Sequence, residues 1–325
     1  MPKITKINPQ QTKLEADEQL WKYFVNDFRK GYVEVTDKKF ILPEYYVEFM
    51  DKIENFEVFD TDVFVITHPK TGTTWIQEMV WCLGHNLEVS DVFLPKRFPF
   101  LEVTTMFDIR ECPEQFEEFA QCEFFTNSLE YTKNLPQPRY IKTHLPWDLL
   151  PKQIRTGERN PKIIYVYRNP KDTSVSYYHH CRNGEGYAGD FNVFMELFLN
   201  GRLAFGPYPA HVLSIVEQKQ RDNVLIVKYE DMKSDLKSVI KQVMAFLNQN
   251  YSDEEISILE KHLSFESMKN NSAVNYDTHF KGGTFMRAGV IGSYNSDMTP
   301  ELIKRFDKWT VDNFGHSSVL NDFLK

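Results

Sequence analysis

Cysteine is scarce, with four in 325 residues. Cys82, Cys112, Cys122 and Cys181 form no C-x-x-C pair and no histidine-paired spacing, which excludes a zinc-finger or disulfide scaffold. They read as four free thiols in a reducing compartment. No apolar run is long enough to cross a membrane. The opening residues 1–6 lead into polar Gln and Asn with no apolar signal core, so the expected address is cytoplasmic. An excess of positive charge is also missing. The net charge is −8, which argues against a nucleic-acid partner and leaves any anion site to a local cluster of Lys and Arg. There is no internal repeat, low-complexity tract or linker. The phosphate loop order G-x-x-x-x-G-K-[ST] is absent too, which speaks against an ATP- or GTP-hydrolysing site.

What is present is an ordinary globular balance, 42% hydrophobic and 26% charged, over enough length for a large buried core. The organising stretch is residues 62–75. Its first half, Val63-Phe64-Val65-Ile66, is a strand-forming apolar run. His68-Pro69-Lys70-Thr71-Gly72-Thr73-Thr74 follows, and then Trp75, Met79 and Leu83 recur at helical spacing. A buried strand, a tight turn and a helix start in succession present unpaired N–H groups and a positive dipole end to an anion. Gly72 permits close backbone approach. Lys70 adds charge, and Thr71, Thr73 and Thr74 add hydroxyls.

Further strands are expected at 139–143, 162–167 and 224–228. A helix is expected from about Thr173 through Cys181, capped by Asp172, with Ser176 about one turn inside it. Helical periodicity covers 190–200, 210–221, 233–249, 253–262 and 300–314, the last with Pro300 at its first turn. The loop 92–101, with two prolines and Phe98 and Phe100, reads as core filler or the wall of an apolar pocket. Residues 183–189 read as a mobile loop. Within residues 1–61, Phe28 to Val35 reads as a strand piece and Tyr45 to Phe56 as an amphipathic helix, and the region is expected to be packing support or a lid. Residues 271–299, with Gly282, Gly283, Gly289 and Gly292, are expected to be a mobile cofactor or substrate loop. Strands alternating with helices predict an α/β fold, one domain over 1–325 with a mainly parallel central sheet flanked by helices. Ligands then bind at the carboxyl ends of the strands. Four strand signals end there in Lys70, His144, Arg168 and Tyr229.

Two anion features, the Lys70 loop and Arg168 with Ser176, suggest a nucleotide with phosphate at both its 5′ and 3′ positions. Lys142 and His144 are two apart on a strand and share a face. His144 is the candidate general base. No metal site is evident from ligand spacing.

Taken together, Pro69-Lys70-Thr71-Gly72-Thr73-Thr74-Trp75, Lys142-Thr143-His144-Leu145-Pro146, Tyr167-Arg168-Asn169-Pro170-Lys171-Asp172 with Ser176-Tyr177-Tyr178, Lys228-Tyr229-Glu230-Asp231-Met232 and Phe285-Met286-Arg287-Ala288-Gly289 resemble the cytosolic sulfotransferases. That family uses 3′-phosphoadenosine 5′-phosphosulfate (PAPS) and releases PAP. The resemblance implies a strand–phosphosulfate-binding loop–helix motif. It also implies transfer of a sulfonate to the hydroxyl or amine of a small, largely apolar acceptor such as a phenol, alcohol or steroid, without a metal. By the same resemblance, Lys70, Lys142 and His144 are catalytic, and residues 70–75, Arg168, Ser176, Tyr229, Phe265, Arg287, Ala288 and Gly289 hold the cofactor. Phe98, Phe100, His144, Tyr178 and His180 shape the acceptor pocket.

The chain departs from the pattern at His68, usually Tyr, and at Ala288, usually Lys, which removes one 3′-phosphate contact. Ser293-Tyr294-Asn295 stands in for Asp-Trp-Lys. Asn295, Pro300 and Lys304 break the family's dimer motif, so a monomer or weak homodimer is expected. The alternatives are a nucleotide-dependent small-molecule kinase and a non-catalytic lipophile carrier on the same fold.

Overall fold

The chain first doubles back on itself. Strands β1 (Ile4–Lys6), β2 (Tyr32–Val35) and β3 (Phe40–Pro43) pair antiparallel in that order. Thr36 and Lys39 take positive φ in the turn between β2 and β3. The computed structural model describes residues 3–11, 14–24, 26–276, 286–287 and 289–324. The expected strand piece at 28–35 is β2, shorter than read. The amphipathic helix expected at 45–56 is a 3-10 turn (Glu44–Glu48) followed by a short helix (Met50–Glu54).

The central sheet holds β4 (Val63–Thr67), β5 (Tyr140–Thr143), β6 (Lys162–Tyr167) and β7 (Val224–Lys228), all parallel, in the order β5-β4-β6-β7. Val63 pairs with Tyr140 on one side and Lys162 on the other. After β4 the chain goes to one side for β5 and returns to the other for β6. A crevice opens at such a reversal, beyond the carboxyl end of β4. Side chains alternate along the strand as the pleat requires. Phe64 and Ile66 join one core, while Val63 and Val65 join the core on the opposite face.

Four helices matter to the site or test the reading. Helix α1 (Thr73–Gly84) begins at Gly72, whose φ is 104°. Helix α2 (Pro170–Gly184) is capped by Asn169, whose side chain accepts from Lys171 N. Helix α3 (Asp253–His262) has a reciprocal Ser252–Glu255 cap. Helix α4 (Pro300–Phe314) starts with Thr299 accepting from Leu302 N and Pro300 in its first turn. No helix among the described residues is long and apolar enough to cross a membrane, and the four cysteines are free thiols.

Candidate active site

β4, β5 and β6 each end in the crevice, and a cavity of about 1170 Å³ opens there. Lys70, Gly72, Thr73, Thr74, Trp75, Phe98, Phe100, Lys142, His144, Arg168, Ser176, His180, Tyr229, Phe265, Arg287 and Gly289 all line it. Residues far apart in sequence thus share one wall, because parallel strands deliver their carboxyl ends to the same edge.

The turn after β4 bends tightly. Lys70 takes a φ of 69° and Gly72 one of 104°. A Cβ on Gly72 would stand 2.7 Å from a ring carbon of Tyr229, so only glycine fits. The helical ladder of α1 opens with Ile76 N donating to Gly72 O. The N–H groups of Thr73, Thr74 and Trp75 therefore have no partner within the helix. The Trp75 and Tyr229 rings meet edge to face at 5.9 Å, and Trp75 Nε1 donates to Leu263 O.

His144 is held from three sides. Its Nδ1 lies 2.7 Å from the Thr67 carbonyl, a contact in which only the nitrogen can donate. That fixes the proton on Nδ1 and leaves the lone pair on Nε2. Its backbone N donates to Glu102 Oε1 at 2.7 Å, and the Thr143 hydroxyl donates to Glu102 Oε2 at 2.7 Å. Its carbonyl accepts from His211 Nε2 at 2.9 Å. Phe100 and Phe205 meet the His144 ring at 4.9 and 5.4 Å. Burial, and then the charge of Lys142, push its pKa well below the usual value, so the ring is neutral and able to take a proton.

The lysines are shifted in the same direction. Burial, then Lys142 and Arg168, bring Lys70 down to about 7. Burial brings Lys142 down to about 8, partly opposed by Glu102. The Lys142 ammonium lies 4.1 Å from the centre of the Phe100 ring, because residues 99–101 run beside β5 as an added edge. These are the environments of cations prepared for an anionic ligand.

At the other end, the Arg168 guanidinium lies 4.2 Å over the Tyr229 ring. Its amino groups donate to Lys70 O and Val290 O. Its Nε is buried and makes no hydrogen bond among the described residues. A Cβ on Gly289, whose φ is 59°, would stand 2.3 Å from Phe265. An orphaned guanidinium nitrogen and two glycines that no side chain could replace fit a bulky anionic nucleotide.

Some expected residues fall elsewhere. Thr71 does not face the cavity, because its hydroxyl donates to His68 O and Val166 O and ties the turn to β6. Tyr178 is also turned away. Ser176, His179 and His180 share the cavity face of α2, and Tyr178 lies about 200° around the helix from Ser176. It packs on Tyr187, Phe191 and Phe194. Asp172 is not the cap of α2. Its carboxylate accepts from Gly292 N, Ser293 Oγ and Tyr294 N, docking the segment that carries Arg287 and Gly289. α2 starts at Pro170, three residues before the expected Thr173, so Ser176 lies in its second turn. The 183–189 loop is tied down, with Glu185 paired to Arg29 and Tyr187 buried. Ala288 and Phe285, with Gly282 and Gly283, lie outside the described residues.

Sequence reading missed Glu102, Thr67 and His211, which orient His144, and Phe28, Phe107, Phe116, Phe119 and Phe125, which extend the apolar wall. No spacing pattern marks them. Glu78, Cys82 and His262 also bring donor atoms within 4.8 Å of one another. Glu78 there accepts from Arg97 at 2.6 Å and contacts His262 at 2.8 Å, while burial lifts the Cys82 thiol to about 12. That is an ion-pair network with a poor thiolate ligand.

Residues 60–318 match the family model described as sulfotransferase domain. The chain is 40% identical over 329 residues to luciferin sulfotransferase of Photinus pyralis, covering 98% of this chain and 89% of that protein. It is 33% identical over 275 residues to amine sulfotransferase of Oryctolagus cuniculus, covering 81% and 83%. Among solved structures, retinol dehydratase in a complex with retinol and PAP aligns with a TM-score of 0.85 at 28% identity, over 98% of both chains.

Proposed function

The chain belongs to the sulfotransferase family, and from that premise we propose that it moves a sulfonate from PAPS to the hydroxyl or amine of a small, largely apolar acceptor. The observation that carries this reading is one cavity lined by Lys70, Lys142 and His144 together with Arg168 and Ser176. When bound, the donor supplies a sulfonate already activated by its link to phosphate.

The chain's own residues do the rest. The N–H groups that open α1, with Thr73 and Thr74, would hold the 5′ end. Arg168, Ser176, Arg287 and the Gly289 backbone would hold the 3′-phosphate, and Trp75, Tyr229 and Phe265 the adenine. His144 takes the acceptor proton on Nε2, the nitrogen left basic by its bond to Thr67. Lys70 neutralises charge that develops on the departing side, and Lys142 charge on the sulfonyl oxygens. Fixed charges in a site shielded from water are usually the largest contribution to such a rate. Phe98 and Phe100 form the acceptor wall.

The reaction runs in a reducing, cytoplasmic setting, in keeping with four free thiols. It runs in a monomer or weak homodimer, because Pro300 opens α4 where the family's dimer motif falls. Incubation with labelled PAPS, in the presence of EDTA, and a panel of phenols, alcohols, amines and sterols tests the reading. Labelled acceptor is the expected result. Absence of transfer to every acceptor, together with no binding of PAP, would overturn it.

A further inference from the structure

β6 and β7 end side by side. Tyr167 and Lys228 are register partners and the final residues of the two strands. Arg168 and Tyr229 come next and line the cavity, with the Arg168 guanidinium 4.2 Å over the Tyr229 ring. Successive side chains along a strand point to opposite faces. Tyr167 accordingly belongs to the core on one side of the sheet and Tyr229 to the core on the other. Whatever holds Tyr167 and Lys228 therefore sets the cavity pair from behind.

One carboxylate holds both. Asp322, in the short helix α5 (Leu320–Phe323), accepts from the Tyr167 hydroxyl at 2.7 Å and from the Lys228 ammonium at 3.1 Å. Its neighbour Phe323 is buried and packs on the rings of Tyr167, Tyr208 and Phe314. The Phe323 carbonyl accepts from Asn169 Nδ2 at 2.9 Å. The side-chain oxygen of Asn169 caps α2, the helix that carries Ser176. Tyr208 in turn donates to the Arg168 carbonyl. Two consecutive residues of α5 thus grip the positions on both sides of Arg168, the position before Tyr229 and the cap of the helix bearing Ser176.

We infer, resting on the sulfotransfer reading above, that Asp322 is a positioning residue for the nucleotide. By tying the ends of β6 and β7 together it keeps Arg168 over Tyr229 and aimed at the 3′-phosphate, and it touches neither cofactor nor acceptor. The sign of its effect separates this role from two others. Asp322 is an anion, so removing it relieves repulsion toward a polyanionic nucleotide. A bystander carboxylate predicts tighter PAP binding on its removal, and a residue that serves stability alone predicts no change in folded protein. A positioning residue predicts weaker binding.

The test is calorimetric titration of PAP and of adenosine 5′-monophosphate into wild type, Asp322→Ala, Asp322→Asn and Tyr167→Phe, with steady-state kinetics beside it. Asp322→Ala is expected to weaken PAP binding roughly 3- to 10-fold, the scale of coupling within one hydrogen-bond network. The monophosphate should lose less, so the preference for a 3′-phosphate narrows. KM for PAPS should rise while kcat at saturating PAPS holds. Asp322→Asn keeps one acceptor oxygen and should fall between wild type and Asp322→Ala. Tyr167→Phe removes one arm and should weaken PAP binding by a smaller factor. Melting curves identify folded variants, and Tyr167→Phe carries the test if Asp322→Ala does not fold. Unchanged or tighter PAP binding in folded Asp322→Ala, or in Tyr167→Phe where that variant carries the test, overturns this inference only. No binding of PAP by wild type overturns the sulfotransfer reading and this inference with it.

Discussion

Arg139 and Lys142 lie three residues apart, at the two ends of β5, and meet opposite electrostatic circumstances. Arg139 gives two hydrogen bonds to Asp62, at 2.9 and 2.6 Å, with both side chains 0% exposed. It also stacks over Phe56 and Phe59. That end of the sheet is electrically closed. At the other end Lys142, Lys70 and Arg168 converge on one cavity, and burial weakens both lysines as cations. The same strands thus carry a charge-neutralised ion pair at their amino ends, in which only Arg139 Nη1 lacks a hydrogen bond among the described residues, and a concentrated positive field at their carboxyl ends. A closed pair serves the fold, whereas a converging set of buried cations becomes favourable only when an anion arrives.

Substitutions at the two ends should therefore separate chemistry from stability. His144→Ala is expected to lower kcat about 10²–10⁴-fold, the usual contribution of general-base help. PAP affinity should persist. Turnover near the wild-type rate would remove His144 from its role. Arg139→Ala should do the reverse. Leaving Asp62 charged and buried costs about 3–5 kcal/mol, read in denaturant melts, while turnover per folded molecule is kept. If Arg139→Ala folded normally and lost only activity, the contrast between the two ends would fail.

Arg168→Ala sharpens the picture within the carboxyl end. It should weaken binding of a 3′,5′-bisphosphate nucleotide by roughly 10- to 100-fold, the worth of hydrogen bonds to a charged group. A nucleotide without the 3′-phosphate should be little affected. A smaller effect comes from pH. An anion favours the ammonium forms, so the complex binds more protons than the free protein. Affinity for PAP then falls as pH rises through about 7 and about 8, where Lys70 and Lys142 discharge. Calorimetry in two buffers of different ionisation heat should show proton uptake that shrinks in Lys70→Met. Equal uptake in both proteins would exclude Lys70 as its source.

Much of this contrast is legible in the sequence. Each central strand announces itself as a short apolar run, and each ends in a residue with chemistry. Pro300 after Thr299 marks the start of α4 correctly, because a residue that suits the first turn and a hydroxyl that caps it are local signals. Nonlocal signals were lost. Glu102 lies 42 residues before the His144 amide that it holds, and nothing in its neighbourhood announces that partner. Thr71 and Tyr178 sit inside motifs whose neighbours face the cavity, but backbone bonds and helical phase turn these two away. Of the N-terminal sheet only β2 is legible in the sequence, because its strands are three or four residues long, too short for a periodicity to show.

The most direct measurement is a crystal structure with PAP bound. The account predicts the 5′-phosphate on the turn of residues 70–75, with Lys70 and His144 flanking the space beyond it, and the 3′-phosphate on Arg168 and Ser176. A nucleotide seated elsewhere, or one whose 5′-phosphate touches neither Lys70 nor the first N–H groups of α1, would contradict it.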